Sequence, residues 1–255
     1  MKPLDPTHGF SDRAEAYTRY RPGYPSALLA WLRREQGVEA RMEVADIGAG
    51  TGISTKMFLD AGHRVLAVEP NAAMRVVMKQ ALAGNRAFSC TAGRAEATAL
   101  SDTSVDLISV AEAFHWFDPL ATHREFARIL RPRGLVAVYW NARASAGSAF
   151  LDGYEQLLRH YGTDYARVAE RYADAATMQT WFGSGFRGQA RFPYRQRFDY
   201  PGLQGRLLSC SYTPGPEHSQ FTEMLDALRH LFDTTAQEGW VDFEYDTHLF
   251  VGTIA

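Results

Sequence analysis

A chain of 255 residues, 46% apolar and 22% charged, has enough apolar material for a large core and the balance of an ordinary globular protein. Its formal net charge of −2 gives no electrostatic footprint for nucleic acid or an anionic membrane as partner. No run reaches membrane-spanning length, residues 1–6 lack the apolar core of a signal peptide, and Cys90 and Cys210 are too few for a disulfide framework or a zinc site. A reducing, cytoplasmic setting, with both cysteines as buried thiols and no metal, is the expectation.

The first forty residues read as helix lying ahead of a sheet. Ser11 caps a helix through Tyr20, the run Arg21-Pro22-Gly23-Tyr24-Pro25 breaks it, and Ser26 caps a second helix that Gly37 ends. From Met42 strand and helix signals alternate. Residues 42–47, 64–69, 87–92, 105–111 and 135–140 are short apolar or β-branched runs; residues 53–61, 71–83 and 119–130 have helical spacing. Strands separated regularly by helices imply right-handed crossovers and a parallel sheet covered on both faces. Ligands of such sheets lie at the carboxyl ends of the strands, where the strand order reverses.

At the first strand's end stands Asp46-Ile-Gly-Ala-Gly-Thr-Gly52. Gly48, Gly50 and Gly52 allow a sharp turn and close approach of a ligand to the backbone, and the helix that follows offers free amides. The spacing is G-x-G-x-G and lacks the third glycine position of a dinucleotide fingerprint. Glu69 ends the next strand, where a carboxylate can accept both hydroxyls of a ribose that has no 2′-phosphate. Asp46, the three glycines and Glu69 together resemble class I S-adenosylmethionine-dependent methyltransferases.

Other segments extend the resemblance. Ala14 to Pro25 is similar to the N-terminal cover of the subgroup that includes trans-aconitate methyltransferases. That likeness implies Tyr17 and Arg21 at the methionine end of the cofactor, Arg21 pairing with its carboxylate, and Tyr20 toward the acceptor; a surface helix with packed tyrosines is the other reading. Gly93-Arg94-Ala95-Glu96 resembles the adenine segment of the family. Many relatives have aspartate where Arg94 stands, which leaves the Ala95 backbone and the Glu96 carboxylate to receive the amino group. Ala111-Glu-Ala-Phe-His-Trp-Phe-Asp118 matches the segment after the fourth strand, so Ala111 would border the cofactor and His115 and Trp116 the sulfonium and acceptor. A histidine there can act as base near neutral pH, or simply be structural, and an aromatic face stabilises a cation.

After Trp140 the rhythm changes. Helices over residues 150–161 and 166–182 are too much chain for a simple crossover and read as an inserted cap. Residues 190–198 alternate Phe192, Tyr194, Gln196 and Phe198 against Arg191, Arg195 and Arg197, a strand with one charged face. Residues 217–236 form the clearest amphipathic helix, ended by Gly239, and residues 241–254 close the chain as an antiparallel strand.

The expected architecture is α/β: a Rossmann-like, seven-stranded, mostly parallel sheet. A helical cover (1–40) precedes a cofactor-binding core (41–142), a helical cap (143–186) and completion of the core sheet (187–255). The resemblance implies S-adenosyl-L-methionine as cofactor and in-line methyl transfer to a small-molecule acceptor, a carboxylate oxygen among the options. Arg143, past the fifth strand, and Arg195 and Arg197 on the sixth are cations suited to an acid substrate. A non-catalytic S-adenosylmethionine-binding protein and a dinucleotide-dependent oxidoreductase are the alternative functions.

Overall fold

The structure, a computed structural model, describes residues 18–163, 165 and 174–254. Ser11, Tyr17 and the first part of the helix expected over 166–182 lie outside the described residues. Among the described residues no helix is long and apolar enough to cross a membrane.

One seven-stranded sheet organises the chain. Its strands are β1 (Glu43–Ile47), β2 (Arg64–Val68), β3 (Phe88–Thr91), β4 (Val105–Ala111), β5 (Leu130–Arg143), β6 (Phe186–Phe198) and β7 (Val241–Gly252). Their order is β3-β2-β1-β4-β5-β7-β6. The first five run parallel, and β7 lies antiparallel between β5 and β6. The order reverses at β1 and β4, so the crevice at their carboxyl ends is where a ligand is expected.

Helices α1 (Ser26–Gln36), α2 (Ile53–Asp60) and α3 (Ala72–Ala81) cover one face of the sheet. α4 (Pro119–Ile129) and α6 (Ala175–Phe182) cover the other. The central strands are therefore apolar on both sides: Val44 packs into one core and its neighbour Ala45 into the other. α3 and α4 start where the sequence placed their caps, with Asn71 accepting the Met74 amide and Asp118 those of Leu120 and Ala121.

Some boundaries move, each for a local reason. Ser26 is the first residue of α1 and makes no cap; Pro25 holds the N-cap position without a side-chain hydrogen bond. β5 begins at Leu130, because Arg133 takes a positive φ of 68° and the chain bulges before Leu135 rejoins Leu107. The last helix, α8 (Phe221–Thr235), ends at Ala236, and Gly239 serves instead in the tight turn between Gln237 and Trp240 that leads into β7.

The helical cap is built from two stretches of chain. α5 (Ala149–Tyr161) follows β5, but α7 (Tyr200–Leu208) and α8 arise between β6 and β7 and share its apolar cluster. Residues 187–255 therefore do more than complete the sheet. Phe150, Tyr154, Leu203, Leu228 and the far-end residue Phe243 of β7 form a third core. The apolar stripe of α8 is spent here, against α5 rather than against the sheet.

Candidate active site

The glycine turn is fastened to the neighbouring strand before any ligand is considered. The amides of Gly48 and Ala49 both donate to the Val68 carbonyl, at 2.9 and 3.2 Å. Gly48 has φ of 71°, and a Cβ on it would lie 2.6 Å from that of Ala113. Gly52, at φ 90°, serves packing instead: a Cβ there would meet Met78 Cγ at 2.8 Å. Gly52 consequently lies behind the turn and is not part of the lining of either cavity described below.

Asp46 is likewise absent from the lining of both cavities. It is fully buried, with Ser54 and Thr55 hydroxyls donating to Oδ2 at 2.6 Å and Ser109 to Oδ1 at 3.0 Å. Burial raises its pKa, and those hydroxyl bonds oppose the rise. Asp46 shapes the turn from beneath. Glu69, by contrast, is at the rim: its carboxylate accepts the Gly50 amide at 2.9 Å and the Asn71 amide at 2.8 Å. Burial pushes its pKa up against those two bonds.

A cavity of about 140 Å³ opens above these groups. Glu69 and Asn71 form its polar side, while Met74, Ala95, Trp116 and Phe117 offer apolar walls for a flat ring. Arg94, Glu96 and Ala111 also line it, and Glu96 Oε1 accepts the Asp118 amide at 2.9 Å. The loop that carries Ala95 is held from behind by Glu125 of α4, which accepts the Thr98 amide at 2.7 Å.

A second cavity, of about 680 Å³, lies between the rim and the cap. It shares Gly48, Gly50, Ala111, Glu112 and Trp116 with the first. His115 and Trp116, in a 3₁₀ turn at Phe114–Trp116, enter its wall with ring centroids 4.9 Å apart. Arg21 lines it and donates to the Ser209 carbonyl at 3.3 Å. Arg143 lines it too, but as part of an ion pair: Nη2 contacts Glu155 at 2.6 Å and the Tyr165 hydroxyl at 2.8 Å.

Other expected substrate contacts fall elsewhere. Tyr20 packs its ring onto Gly205 of α7 and does not line the cavity. Arg195 and Arg197, on the exposed face of β6 beside Asp242, are not among its lining residues.

Two lining residues have features that local sequence did not mark. Glu112 holds φ of 57°, uncommon for a residue with a side chain, and accepts the Asn141 amide at 2.7 Å. It was visible only as part of the segment 111–118. Arg206, on α7, is buried in the cap, and nothing in its local sequence separates it from a solvent-facing arginine.

The strand order, the reversal at β1 and β4, and a carboxylate closing a glycine turn define a class I S-adenosylmethionine-binding α/β fold. The site suits that cofactor: Glu69 for a ribose, apolar walls for adenine, and the buried Thr51 hydroxyl, which has no partner and lines the larger cavity, for the methionine end. Comparison with known proteins agrees. A family model described as a methyltransferase domain matches residues 45–138. An uncharacterized methyltransferase of Mycobacterium tuberculosis is 40% identical over 90% of this chain and 88% of its own length. One of Schizosaccharomyces pombe is 32% identical over 89% of each. Among solved structures, a protein of Anaeromyxobacter dehalogenans described as a type II methyltransferase superposes with TM-score 0.68 at 22% identity, over 92% of this chain and 98% of that one. The chain belongs to the S-adenosylmethionine-dependent methyltransferase family.

Proposed function

We propose that the enzyme methylates a small-molecule acceptor bound in the larger cavity, at an oxygen nucleophile of which a carboxylate is the best-supported kind. The observation that carries this reading is the seam between the two cavities. Gly48, Gly50, Ala111, Glu112 and Trp116 face both, so a group in the smaller cavity and a group in the larger one meet there. The larger cavity is walled by the rim on one side and the cap on the other, a shape for a compact molecule rather than a duplex or a bilayer.

S-adenosylmethionine supplies the methyl group on an already activated sulfonium. The residues then have three tasks. Glu69, Asn71 and Ala95 hold the nucleoside end; Trp116 presents an aromatic face at the seam, where positive charge is stabilised. Arg21, Pro22 and Tyr24 lie along the larger cavity's wall and limit its access to water. Bringing the two reacting centres together supplies most of the acceleration that such a reaction needs.

A carboxylate acceptor fits a wall in which Arg21 and Arg206 stand beside the ion-paired Arg143, Arg159 and Arg191, and it is a nucleophile without any base. A phenolic or alcoholic acceptor is the second reading, favoured by His115 in the same wall as a base. Radiolabelled methyl transfer to separate pools of carboxylic acids, phenols, alcohols and amines distinguishes them. Esters formed from the acid pool, with His115→Ala retaining turnover, are the expected result. Turnover of phenols alone, lost in His115→Ala, establishes the second reading instead.

A further inference from the structure

The arginines of the larger cavity are not equivalent. Arg143 and Arg159 both pair with Glu155, at 2.6 and 2.9 Å, and Arg191 reaches Asp246 at 3.6 Å. Arg206 has no carboxylate within ion-pairing distance among the described residues, although it is the most deeply placed of these side chains, at 5% exposure. Its guanidinium lies 5.8 Å from the Phe243 ring centroid. One Nη1–H reaches Cys210 Sγ at 3.0 Å; burial raises that thiol, but Arg21 and Arg206 beside it bring it down to about 7, so it meets the charge only in part and through one N–H. Nε–H has no hydrogen-bond partner among the described residues. The Tyr154 ring packs against the same Phe243 ring, and its hydroxyl is also buried without a hydrogen-bond partner among the described residues.

A guanidinium cannot shed its proton to escape such a site. Uncompensated burial of a charge is among the more costly arrangements a core can hold, so a chain that retains one has a counter-charge to offer it at some stage. Cys210 takes one of five N–H groups and lies outside the cavity lining, while Arg206 lines the cavity. The donors that Cys210 leaves unmet are open to a partner from the cavity that Arg206 lines.

We infer that Arg206 anchors an anionic oxygen group of the acceptor, carboxylate or phosphate, separate from the atom that is methylated. This rests on the reading of the larger cavity as the acceptor site. The separation follows from chemistry: an oxygen held in a charge-assisted pair is a poorer nucleophile, and Arg206 lines only the larger cavity, away from the wall of the smaller one. The acceptor is then at least bifunctional, with one group fixed in the cap and another presented at the seam. Arg206 determines specificity without taking part in bond making.

Thermal melting with saturating S-adenosylhomocysteine, at constant ionic strength, tests the assignment. The probes are succinate, citrate and inorganic phosphate, with succinamide as the uncharged control. The expected result is a rise in wild-type Tm with succinate or citrate if the group is a carboxylate, or with phosphate if it is a phosphate, and none with succinamide. Arg206→Met should lose that rise while keeping S-adenosylhomocysteine affinity within twofold. Without probe, the Met variant should melt no lower than wild type, since it removes an unpaired buried charge. Arg206→Lys, which keeps the charge but not the planar fork, should bind the same probe at least tenfold more weakly and serves if the Met variant fails to fold. Equal shifts in wild type and Arg206→Met, an equal shift by succinamide, or no anion effect on a wild type that binds S-adenosylhomocysteine overturns the assignment. Failure of wild type to bind S-adenosylhomocysteine would instead strike at the cofactor site on which it rests.

Discussion

Glu69 Oε2 accepts the Gly50 amide at 2.9 Å, so the carboxylate at the end of β2 and the glycine turn after β1 are one unit. Its other oxygen takes the Asn71 amide at the start of α3. The residue that would hold a ribose thus also sets the shape of the turn that faces the rest of the cofactor. Glu69→Ala should weaken S-adenosylhomocysteine binding by roughly 1.5–3 kcal/mol, the range for hydrogen bonds to a charged group. Glu69→Gln, which can still accept one amide, should fall between. Calorimetric affinities equal to wild type in a folded Ala variant would remove Glu69 from the site.

Asp46 gives the opposite expectation. Its carboxylate accepts three hydroxyl donors and lies beneath the turn, outside both cavities. Asp46→Asn puts an amide donor where hydroxyl donors already point, which should lower stability by about 1–3 kcal/mol. Urea unfolding reads the loss. The variant that remains folded should bind S-adenosylhomocysteine with less than a tenfold change; a far larger loss at full stability would show direct contact.

What the sequence showed and what it hid divide along the distance over which a residue's environment is decided. Gly48, Glu69, Ala95, Ala111 and Trp116 sit just past strand ends, so alternation of elements and rim position were enough to bring them together. Asp46 stands in the same motif, yet its direction was not legible, because Ser109 on β4 decides which way its carboxylate is satisfied. The packing of Tyr20 was not legible either, because Gly205, far along the chain, takes its ring. Arg206 is the extreme case. Its burial depends on Phe243 and Tyr154, from a strand and a helix on either side of it in sequence, and α7 alone carries no mark of this. The amphipathic stripe of α8 was plain, but periodicity says only that a face is covered, not that α5 covers it.

Acid stability should report on the support of the adenine loop. Glu125 accepts Thr98 N and Arg128, and these bonds hold its carboxyl down, chiefly the Arg128 bond, from 4.5 to about 2. A folded-state pKa below the unfolded value means stability that is complete above about pH 4.5 and is lost as pH falls toward 2. Arg128 is more than one-third solvent-exposed, so screening reduces the contribution to about 1–2 kcal/mol. Glu125→Gln should therefore melt lower than wild type at pH 7, with the two Tm curves converging between pH 4.5 and 2. Curves that stay parallel through that window would assign the acid loss to other carboxylates.

Side-chain hydrogen bonds tie residues 20–23 to the rest of the protein. Gln196 Nε2 donates to the Tyr20 carbonyl at 3.4 Å, Arg21 to the Ser209 carbonyl at 3.3 Å, and Asn141 Nδ2 to the Gly23 carbonyl at 3.0 Å. Two of these are long, and the segment walls the larger cavity. Amide hydrogen exchange over residues 18–24 should slow when S-adenosylhomocysteine binds, as for a cover that tightens over its ligand. Equal exchange with and without ligand would mark it as a fixed wall.

The cap should be separable from the cofactor site by mutation. Gly153 on α5 faces Leu231 on α8, and a Cβ at Gly153 would lie 2.4 Å from Leu231 Cδ1. A methyl there can be absorbed, since the end of a leucine turns aside, but a β-branched side chain leaves it no room. Gly153→Val should therefore push α5 from α8 and cost about 1–3 kcal/mol of stability. The displacement acts on the cavity through Glu155 on the same helix, which pairs with both Arg143 and Arg159. Nothing in the smaller cavity belongs to α5 or α8, so S-adenosylhomocysteine affinity should stay within about twofold. Turnover of the acceptor found by the labelled screen should instead show KM raised severalfold. If both affinities fall together, the two cavities are mechanically one, and the cap would be a clamp on the cofactor as much as a mould for the acceptor.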